Sequence, residues 1–406
     1  MNKLIMIIAG TKWQIPLIKK IHEMGHKVLV VNLYPDSPAF SYADYSEIVD
    51  ILDKEACLRI AQKYDIDAIL SDECDIATPT IAYIAEKLDL IGISQKSASL
   101  YTNKHEMRLF GKKNGLNTPD FALCSSIQDV KDFVSSNGLP IIIKPLDSNS
   151  SRGVFLINDE SELEKRFDET LSYSHVSKKI LAEQYINGTE FTIDGVVINN
   201  KHYSLAISEK KHYAHNPNIA YELFFTHKNE NFDYELLRDT NDKFVNLSKL
   251  ENGCFTHAEY KYQDGKFYLI EIGARGGGNL ISAEIVPIMT GFDNYEYLIN
   301  QALGTETKIS SVDIDNTSER CAVLYFFDTP GNGGVVKKIL GTEILKNDLH
   351  VLKFELNFKE GDKIEKAKND AARIGYFIAY EDSKKQLEEL ICEVVDNFTV
   401  EYEVKQ

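Results

Sequence analysis

The sequence predicts a multidomain protein with an α/β amino-terminal part and α+β parts further along the chain. In the first hundred residues, short and wholly apolar runs alternate with stretches of helical spacing. That alternation is typical of a parallel sheet covered by helices on both faces. Later in the chain, dipeptides that favour tight hairpin turns indicate antiparallel strands. The chain has 406 residues, too many for one ordinary domain, and roughly two to four packed units are expected.

The alternating region predicts five strands and three helices. The strands are the apolar runs Leu4–Ile8, Val28–Val31, Ile48–Leu52, Ala68–Leu70 and Leu90–Ile93. The helices are the stretches where apolar residues recur at helical spacing: Ile15 to Met24, closed by Gly25, then Glu55 to Tyr64 and Ala77 to Leu88. The first run is too short for the apolar core of a signal peptide, and no stretch reaches the length of a membrane-spanning helix.

The next segment begins with helix signals. A helix is predicted around Leu100–Lys113, and Ser126 opens another helix that Gly138 closes. Asp159 and Glu162 have the spacing of a capping box for a further helix.

Strands and hairpins dominate the region that follows. Strands are predicted at Ile141–Lys144, Leu181–Tyr185 and Phe191–Ile198. Asn199-Asn200 and Asp264-Gly265 are dipeptides that suit tight two-residue turns. Each therefore predicts a hairpin, the second one within residues 253–272.

The last hundred residues are predicted to form a separate α+β unit. A strand at Cys321–Phe327 is followed by the glycine-rich loop Gly331–Gly334 and a second strand at Val335–Leu340. A phosphate-binding loop would lead into a helix instead, so a hairpin is the preferred interpretation. Ser383 caps a final helix whose apolar residues share one face: Leu387, Leu390, Ile391, Val394, Val395 and Phe398.

Charge and cysteine content limit the classes of partner. The net charge is −17, and so acidic a chain would be repelled by a phosphate backbone or an anionic membrane. We therefore expect neither nucleic acid nor membrane as a partner. The six cysteines form no C-x-x-C pair and fit no zinc motif, so each is expected to be a buried or half-buried apolar residue. This pattern predicts a cytoplasmic protein.

A lysine at the end of a buried strand is the first candidate for chemistry. Lys144 closes an apolar run, and a polar loop at residues 147–153 follows it. Hydroxyl and backbone N–H groups in such a loop suit phosphate oxygens, although an ordinary turn would look the same. Glu183 and Glu190 are candidates to accept hydrogen bonds from ribose hydroxyls, or are simply surface carboxylates.

The strongest cluster lies between residues 257 and 279. Glu259 and Glu271 are on strands that flank a hairpin, where the two carboxylates can face one another and hold Mg²⁺. Arg275 follows, with three glycines behind it, and can stabilise a transferring phosphoryl group. The structural alternative is a Glu–Lys or Glu–Arg ion pair near a flexible turn.

Taken in order, these motifs resemble the ATP-grasp superfamily, most closely the bacterial L-amino-acid ligases and similar carboxylate–amine ligases. The resemblance covers nearly the whole chain and includes Gly10, Gln14 and Pro16 near its start. It implies an ATP-grasp fold with an amino-terminal Rossmann-like pre-ATP-grasp domain and a carboxy-terminal α+β extension. The domains expected are residues 1–95, the small or lid subdomain with its linker helices at 96–186, the large subdomain with the metal site at 187–310, and the extension at 311–406.

The resemblance also implies roles for individual residues. Lys104 and Lys144 match the two ATP-binding lysines, and the loop over the triphosphate is matched by Ser150, Ser151, Arg152 and Gly153. The hinge beside adenine is matched by Glu183, Gln184, Tyr185 and Ile186, and the ribose-binding residue by Glu190. Glu259 and Glu271 match the ligands of Mg²⁺ or Mn²⁺, and Arg275 matches the catalytic arginine that supports the acyl phosphate.

Some positions depart from the superfamily pattern. Many members have asparagine two residues after the second metal ligand, where this chain has Gly273. His257, Gly276, Gly277 and Asn279 are accessory or substrate-contact candidates, although a structural histidine is an equally good interpretation of His257. The segment from Lys210 to Glu222 lies where such ligases meet their substrates but matches no recognisable pattern.

The implied function is ADP-forming ligation of a small carboxylate to an amine through an acyl phosphate, on amino-acid-like substrates. One alternative is an ATP-grasp enzyme that uses formate or bicarbonate, as in purine synthesis or carboxylation. Another is an ATP-binding sensor without catalysis, which the two carboxylates and Arg275 disfavour. A dinucleotide oxidoreductase is weaker still, because the first strand is not followed by G-x-G-x-x-G. Both a monomer and a homodimer fit the sequence.

Overall fold

A computed structural model describes residues 2–146, 152–174, 178–307, 309, 312 and 318–403. Its amino-terminal part is a parallel sheet of four strands in the order β3-β2-β1-β4. The elements are β1 (Leu4–Ile8), α1 (Ile15–Glu23), β2 (Lys27–Asn32), β3 (Tyr45–Ile48), α2 (Lys54–Tyr64), β4 (Ala68–Leu70) and α3 (Thr78–Leu88). The predicted parallel sheet is confirmed. In the ranges described, no helix is both long and apolar enough to cross a membrane.

Two of the five predicted strands differ from the structure. The third strand ends at Ile48 and does not begin there. Residues 90–93 form no strand. Asp89 ends α3 in the left-handed conformation, and the N–H of Leu90 donates to the carbonyl of Ala85. Because apolar residues just after a helix often pack back onto its last turn, the run from Leu90 belongs to the helix end.

Two helices stand where one was predicted around Leu100–Lys113. They are α4 (Gln95–Thr102) and α5 (Lys104–Lys113). Asn103 separates them in an extended conformation, and its side chain accepts hydrogen bonds from the N–H groups of His105 and Glu106. An asparagine that caps the second helix in this way interrupts the first.

A small antiparallel sheet in the order β5-β8-β6-β7 follows. Its elements are β5 (Phe121–Cys124), α6 (Ile127–Asn137), β6 (Ile141–Pro145), β7 (Phe155–Ile157), α7 (Leu163–Ser172) and β8 (Ile180–Gln184). Ser126 and Gly138 bound α6 as predicted. The predicted capping box is wrong, because Asp159 accepts from the N–H of Ser161 and begins a short 3₁₀ turn, while Glu162 makes no side-chain cap for α7.

Both predicted hairpins are confirmed. The first joins β9 (Thr189–Ile198) to β10 (Lys201–Tyr213), with Asn199 and Asn200 at φ of 51° and 61°. After β11 (Asn216–Thr226) and α8 (Tyr234–Ser248), the second hairpin joins β12 (Phe255–Gln263) to β13 (Lys266–Gly273). The left-handed conformation of both turn residues matches the twist of the strands.

The remaining elements complete the large sheet and add a small one. They are α9 (Val286–Thr290), α10 (Asn294–Ala302), β14 (Cys321–Phe326), β15 (Gly334–Leu340), α11 (Glu343–Asn347), β16 (Val351–Leu356), β17 (Lys363–Ile364), β18 (Gly375–Glu381), α12 (Lys384–Asn397) and β19 (Thr399–Tyr402). An eight-stranded sheet runs in the order β13-β12-β9-β10-β11-β14-β18-β16, and β17-β15-β19 form a three-stranded sheet.

This connectivity corrects one prediction about the last hundred residues and bears on another. β14 is hydrogen-bonded to β11, so the first strand of the predicted carboxy-terminal unit extends the large sheet. The loop Gly331–Gly334 is not a hairpin turn, because β15 pairs with β17 and β19 and leaves the sheet of β14. The division of the chain at residue 310 stays a prediction.

A hydrophobic core lies between α12 and the large sheet. It includes Leu387, Leu390, Ile391, Val394 and Phe398, as predicted. Val395 was predicted on the same face but is 37% exposed. Cys392 on this helix is also exposed, unlike the other five cysteines, and all six are free thiols.

Adjacent valines on α12 provide a matched test of this packing. Val394 is 0% exposed and Val395 is 37% exposed. Val394→Ala is expected to lower the free energy of unfolding by about 2 kcal/mol, because it removes two buried methyl groups and leaves a cavity. Val395→Ala should change it by no more than about 0.5 kcal/mol. Urea unfolding of both variants measures the difference, and equal effects would contradict the assignment of the buried face.

Candidate active site

A cleft of about 590 Å³ opens on one face of the large sheet. One wall comes from the loops after β1 and β4, including Trp13 and Asp75. The carboxy-terminal part contributes Arg373 and Tyr376. Three regions that are distant in sequence therefore enclose one space, which has a size typical of small-molecule sites.

A one-residue bulge brings the two candidate metal ligands together. The turn at Asp264-Gly265 starts the register with Gln263 opposite Lys266, which would set Glu259 opposite Ile270. Between Glu259 and Tyr260 the register shifts by one residue, and Glu259 pairs with Glu271. Directly paired residues of an antiparallel sheet project to the same side, so the two carboxylates share one face of the sheet.

A second bulge aligns a lysine with the candidate ribose ligand. The β9–β10 register shifts between Ser204 and Ala206, and Lys210 then pairs with Glu190. The Nζ atom of Lys210 lies 2.7 Å from carboxylate oxygens of both Glu190 and Glu259. Burial opposes the charge on Lys210, but the two carboxylates outweigh it and hold the pKa of Lys210 above its ordinary value.

Lys144 shares its carboxylate partner with an arginine. One oxygen of Glu183 is 2.6 Å from Nζ of Lys144, and the other accepts from Nε of Arg108 at 2.7 Å. All three side chains are at most 5% exposed. Both oxygens of Glu183 thus have partners within the protein. Of the two carboxylates predicted to bind ribose, Glu190 is the one that lines the cleft.

A surplus of buried positive charge results from this sharing. Burial, together with the cations Arg108 and Lys104, lowers the pKa of Lys144 to about 8 against the opposing effect of Glu183. A buried cation with incomplete neutralisation favours binding of an anion.

Lys104 lies at the start of α5 and reaches the second candidate metal ligand. Its Nζ is 2.7 Å from Oε1 of Glu271. Each of the two strand carboxylates therefore contacts a buried lysine, Glu271 through Lys104 and Glu259 through Lys210. The Glu–Lys pairs of the structural alternative are present, and the metal-binding role stays a prediction.

The predicted ATP-binding loop and hinge are described in part. Ser150 and Ser151 lie outside the described residues. Arg152 is exposed, and Gly153 is buried at φ 73°, with its carbonyl accepting from Oγ1 of Thr170. In the hinge, the N–H of Gln184 donates to the carbonyl of Asp120 at 2.8 Å. The centre of the Tyr185 ring lies 5.0 Å from Nζ of Lys261, and Ile186 is buried. Their contacts with ATP remain predictions.

Arg275 forms a bidentate ion pair across the cleft wall. Its Nε and Nη2 donate to Oδ1 and Oδ2 of Asp75 at 2.9 and 2.7 Å, and its Nη1 donates to the carbonyl of Gly276. Burial opposes ionisation of both groups, but Arg275 outweighs it and lowers the pKa of Asp75. The arginine is thus ordered by a neighbouring carboxylate.

The glycines after β13 are required by close packing within the chain. A Cβ on Gly276 would lie 2.3 Å from Oγ of Ser282, and one on Gly277 would lie 2.6 Å from Oδ1 of Asp194. Asp194 accepts from the N–H of Gly277 and contacts Nδ1 of His257 at 3.1 Å. The space beside Gly276 and Gly277 is therefore filled by the side chains of Ser282 and Asp194. The sequence had made both glycines candidates for contact with a substrate.

His257 and Asn279 both line the cleft. Asn279 has the left-handed φ of 57°. Gly273 is explained by its neighbours as well, since a Cβ there would lie 2.4 Å from Oδ1 of Asp75. A larger residue at 273 would displace the carboxylate that holds Arg275.

Three residues that line this cleft were not among the candidates from the sequence: Lys210, Asp75 and Arg373. Arg108, the buried partner of Glu183, was missed as well. Asp75 had a usable signal, because it lies in a cluster of acidic residues just after a buried parallel strand, where open α/β sheets bind ligands. The position of Lys210 depends on the strand register, and that of Arg108 on contacts with residues distant in sequence, so neither could be found from a local pattern. Arg373 is far away in sequence, and its guanidinium carbon lies 3.8 Å from the centre of the Phe326 ring.

Two family profiles match separate parts of the chain. Residues 137–284 match an ATP-grasp domain, and residues 326–403 match the L-amino acid ligase C-terminal domain 2. Among curated proteins, the chain is similar to the formate-dependent phosphoribosylglycinamide formyltransferase of Chlorobaculum tepidum, at 29% identity over 208 residues. That match covers 49% of this chain and 52% of the relative, so the chain spans about half the length of the curated relatives it matches.

Solved structures match over nearly the entire chain. The L-amino acid ligase from Bacillus licheniformis is 24% identical with a TM-score of 0.82, covering 99% of each chain. The biotin carboxylase domain of the Hydrogenobacter thermophilus 2-oxoglutarate carboxylase, solved with MgADP and bicarbonate, is 14% identical with a TM-score of 0.76. That second match covers 99% of this chain and 91% of the other. These likenesses establish the ATP-grasp fold, and the two profiles match an ATP-grasp domain at residues 137–284 and an L-amino acid ligase C-terminal domain at residues 326–403.

Proposed function

We propose that this protein is an ATP-dependent carboxylate–amine ligase that forms an amide bond through an acyl phosphate. The observation that carries this proposal is the direct pairing of Glu259 with Glu271, each within 2.7 Å of a buried lysine at the wall of one cleft. Carboxylates in this arrangement suit a metal, and the lysines suit phosphates. If the two Glu–Lys contacts were only structural ion pairs, they would have no reason to lie together at a cleft.

ATP is the substrate that these groups would bind. Lys104 and Lys144 would neutralise its phosphates, assisted by Lys210, and Glu190 would accept hydrogen bonds from the ribose. The loop with Ser150, Ser151, Arg152 and Gly153 would cover the triphosphate, and the hinge from Glu183 to Ile186 would flank adenine. The shared use of Glu183 by Lys144 and Arg108 supports this assignment, because it leaves positive charge for an anion to neutralise.

Magnesium fits the donor set of this site. Glu259 and Glu271 are hard oxygen ligands in register with each other, and Mg²⁺ or Mn²⁺ typically combines one or two carboxylates with phosphate oxygens. When bound, the metal would reduce the charge on the transferring phosphoryl group. These two residues would hold it, with no contribution required from Gly273.

The chain's own residues would then act by positioning and charge. A carboxylate oxygen of the first substrate attacks the γ-phosphorus, and ADP leaves with the electrons of the broken P–O bond. The amine nitrogen next attacks the acyl carbon, and phosphate leaves as the C–O bond breaks. Arg275 would stabilise the charge that develops in both steps, because its guanidinium is held in place before the reaction. His257, Gly276, Gly277 and Asn279 would contact the reacting groups or support those that do.

Amino-acid-like substrates suit the walls of the cleft. Arg373 offers a cation, and Glu73 has a buried carboxylate oxygen that lacks a hydrogen-bond partner among the described residues. Burial and the neighbouring Asp72 raise the pKa of Glu73 well above its ordinary value, so an ammonium group bound beside it would favour its charged form. A cation and such a carboxyl group on the walls of one space suit the two ends of an amino acid. The carboxy-terminal match and the similarity to the Bacillus licheniformis ligase support the same substrate class. We propose a cytoplasmic location, with small molecules as the substrates.

A formate- or bicarbonate-using enzyme is the second candidate. It is favoured by the similarity to the formate-dependent enzyme of Chlorobaculum tepidum, which covers 49% of this chain. Against it, the cleft of about 590 Å³ is much larger than either small acid alone requires. A large amine acceptor would account for that volume, so turnover assays must include both acids.

Product analysis tests the proposed function. We expect ADP and phosphate from Mg²⁺-ATP only when a carboxylate and an amine are present together, drawn from a panel of amino acids, amines, formate and bicarbonate. Glu271→Gln should abolish turnover without unfolding the protein, because it removes a metal ligand but little volume. Glu164→Gln, at a side chain 79% exposed on α7, is the matched control. Formation of AMP and pyrophosphate would contradict the acyl-phosphate route.

The pKa of Lys144 gives the affinity for ATP a pH dependence. The folded protein has this pKa at about 8, below the ordinary 10.5, so the ammonium is lost as pH rises through 8. Bound phosphates stabilise the ammonium, and affinity should therefore fall between pH 8 and pH 10, by up to about tenfold per unit. Calorimetric titration with ATP over pH 7–10 measures it, and Lys144→Gln should weaken binding and flatten the profile. The surface control Lys131→Gln should keep the wild-type slope, and a slope retained in Lys144→Gln would assign the effect to another group.

A further inference from the structure

Asp75 and Arg275 belong to different parts of the chain and meet at the cleft. Asp75 lies in the loop after β4 of the parallel sheet, whereas Arg275 follows β13 of the large sheet. Their side chains are 25% and 19% exposed, and the two hydrogen bonds measure 2.9 and 2.7 Å. A bidentate pair fixes the plane of a guanidinium as well as its distance.

Further contacts hold the same two segments together. The carboxylate of Asp72 accepts from the N–H of Gly276 at 2.8 Å, and that of Glu73 accepts from the N–H of Leu280 at 3.0 Å. Gln14 anchors the loop from the other side by donating to the carbonyl of Asp72. The segment 72–75, here called the acidic loop, therefore sets the path of the backbone from Arg275 to Leu280.

The chain also keeps space free for this ion pair. A Cβ on Gly273 would lie 2.4 Å from Oδ1 of Asp75, so the glycine two residues after Glu271 leaves room for the carboxylate. Of the five N–H bonds of a guanidinium, Arg275 uses one from Nε and one from Nη2 for Asp75, and one from Nη1 for Gly276. The two that remain are on Nη1 and Nη2, and their directions are fixed once the plane is fixed.

We propose that Asp75 is a positioning residue for Arg275, through which the amino-terminal sheet takes part in the reaction. The inference rests on the proposed function and adds a residue to it. Asp75 holds the guanidinium so that its two remaining N–H groups are directed at the transferring phosphoryl group without reorganisation. An unheld arginine would keep its charge but lose its orientation, and would have to be ordered again in each turnover.

A purely structural role for the pair predicts a different outcome. If Asp75 only joined two parts of the protein, its loss would lower the stability and leave the rate per folded molecule unchanged. A positioning role lowers kcat and leaves the KM for ATP nearly constant, because the interaction matters in the transition state. The split between kcat and KM therefore separates the two roles.

Asp67 is a suitable control for this experiment. It lies just before β4, at the opposite end from Asp75, and forms an ion pair with Lys3 at 2.6 Å. Its side chain is 30% exposed, against 25% for Asp75. Asp67→Asn therefore removes a comparable ion pair from the same strand at a distance from the cleft.

Steady-state kinetics would be measured for Asp75→Asn, Asp75→Glu, Asp67→Asn, Arg275→Ala and the double variant of Asp75→Asn with Arg275→Ala. The carboxylate and amine are the pair that supports turnover in the wild type. We expect Asp75→Asn to lower kcat by at least about tenfold, with the KM for ATP within about twofold of wild type. Asp75→Glu should restore part of the rate, since it keeps the charge, and Asp67→Asn should match wild type. The double variant should be no slower than Arg275→Ala alone, because the two residues act as one unit.

Each outcome gives a decision. A wild-type kcat in folded Asp75→Asn would overturn the positioning role and leave the ligase function intact, and so would rate losses that add independently in the double variant. Should Asp75→Asn fail to fold, Asp75→Glu decides: a lowered kcat at constant KM supports the role, and a wild-type kcat overturns it. Failure of the wild type to turn over ATP with any pair would overturn the proposed function first, and this inference with it.

Discussion

Two one-residue β-bulges determine which side chains face the cleft. Side chains on a strand alternate between faces, so one extra residue reverses the orientation of all those beyond it. The shift between Glu259 and Tyr260 aligns Glu259 with Glu271, and the shift after Ser204 aligns Lys210 with Glu190. Nη2 of Arg108 donates to the carbonyl of Ile270, the extra residue on β13, at 2.5 Å. The buried Arg108 therefore connects the bulge to Glu183 on β8 of the four-stranded antiparallel sheet.

Paired charges within the cleft reconcile a strongly acidic protein with an anionic substrate. The net charge is −17, yet Lys104 and Lys144 are buried, and the side chain of Lys210, which lines the cleft, is only 9% exposed. Each lysine contacts a carboxylate, which offsets the cost of burying it in the folded protein. On binding, the phosphates of ATP would replace the carboxylates as partners of the lysines, and a divalent cation would replace the lysines as partner of the carboxylates. The site can therefore accept ATP without a large uncompensated charge.

Local patterns in the sequence predicted much of the fold and part of the site. Turn dipeptides such as Asp264-Gly265 predicted the hairpins because the two turn residues alone fix that geometry. The facing carboxylates were anticipated, but the hairpin register by itself would pair Glu259 with Ile270. Lys210 was missed for the related reason that a bulge is not visible in composition or spacing. The contact of Asp75 with Arg275 spans 200 positions and depends on how two sheets pack, which no local pattern encodes.

The central claim is that phosphate becomes attached to the substrate carboxylate before the amide forms. A carboxylate labelled with ¹⁸O on both oxygens tests it directly in a complete reaction with Mg²⁺-ATP and the amine. Attack of the carboxylate on the γ-phosphorus, followed by loss of phosphate, predicts that each molecule of inorganic phosphate carries one ¹⁸O atom from the acid. Unlabelled phosphate, or label recovered in AMP, would contradict the account.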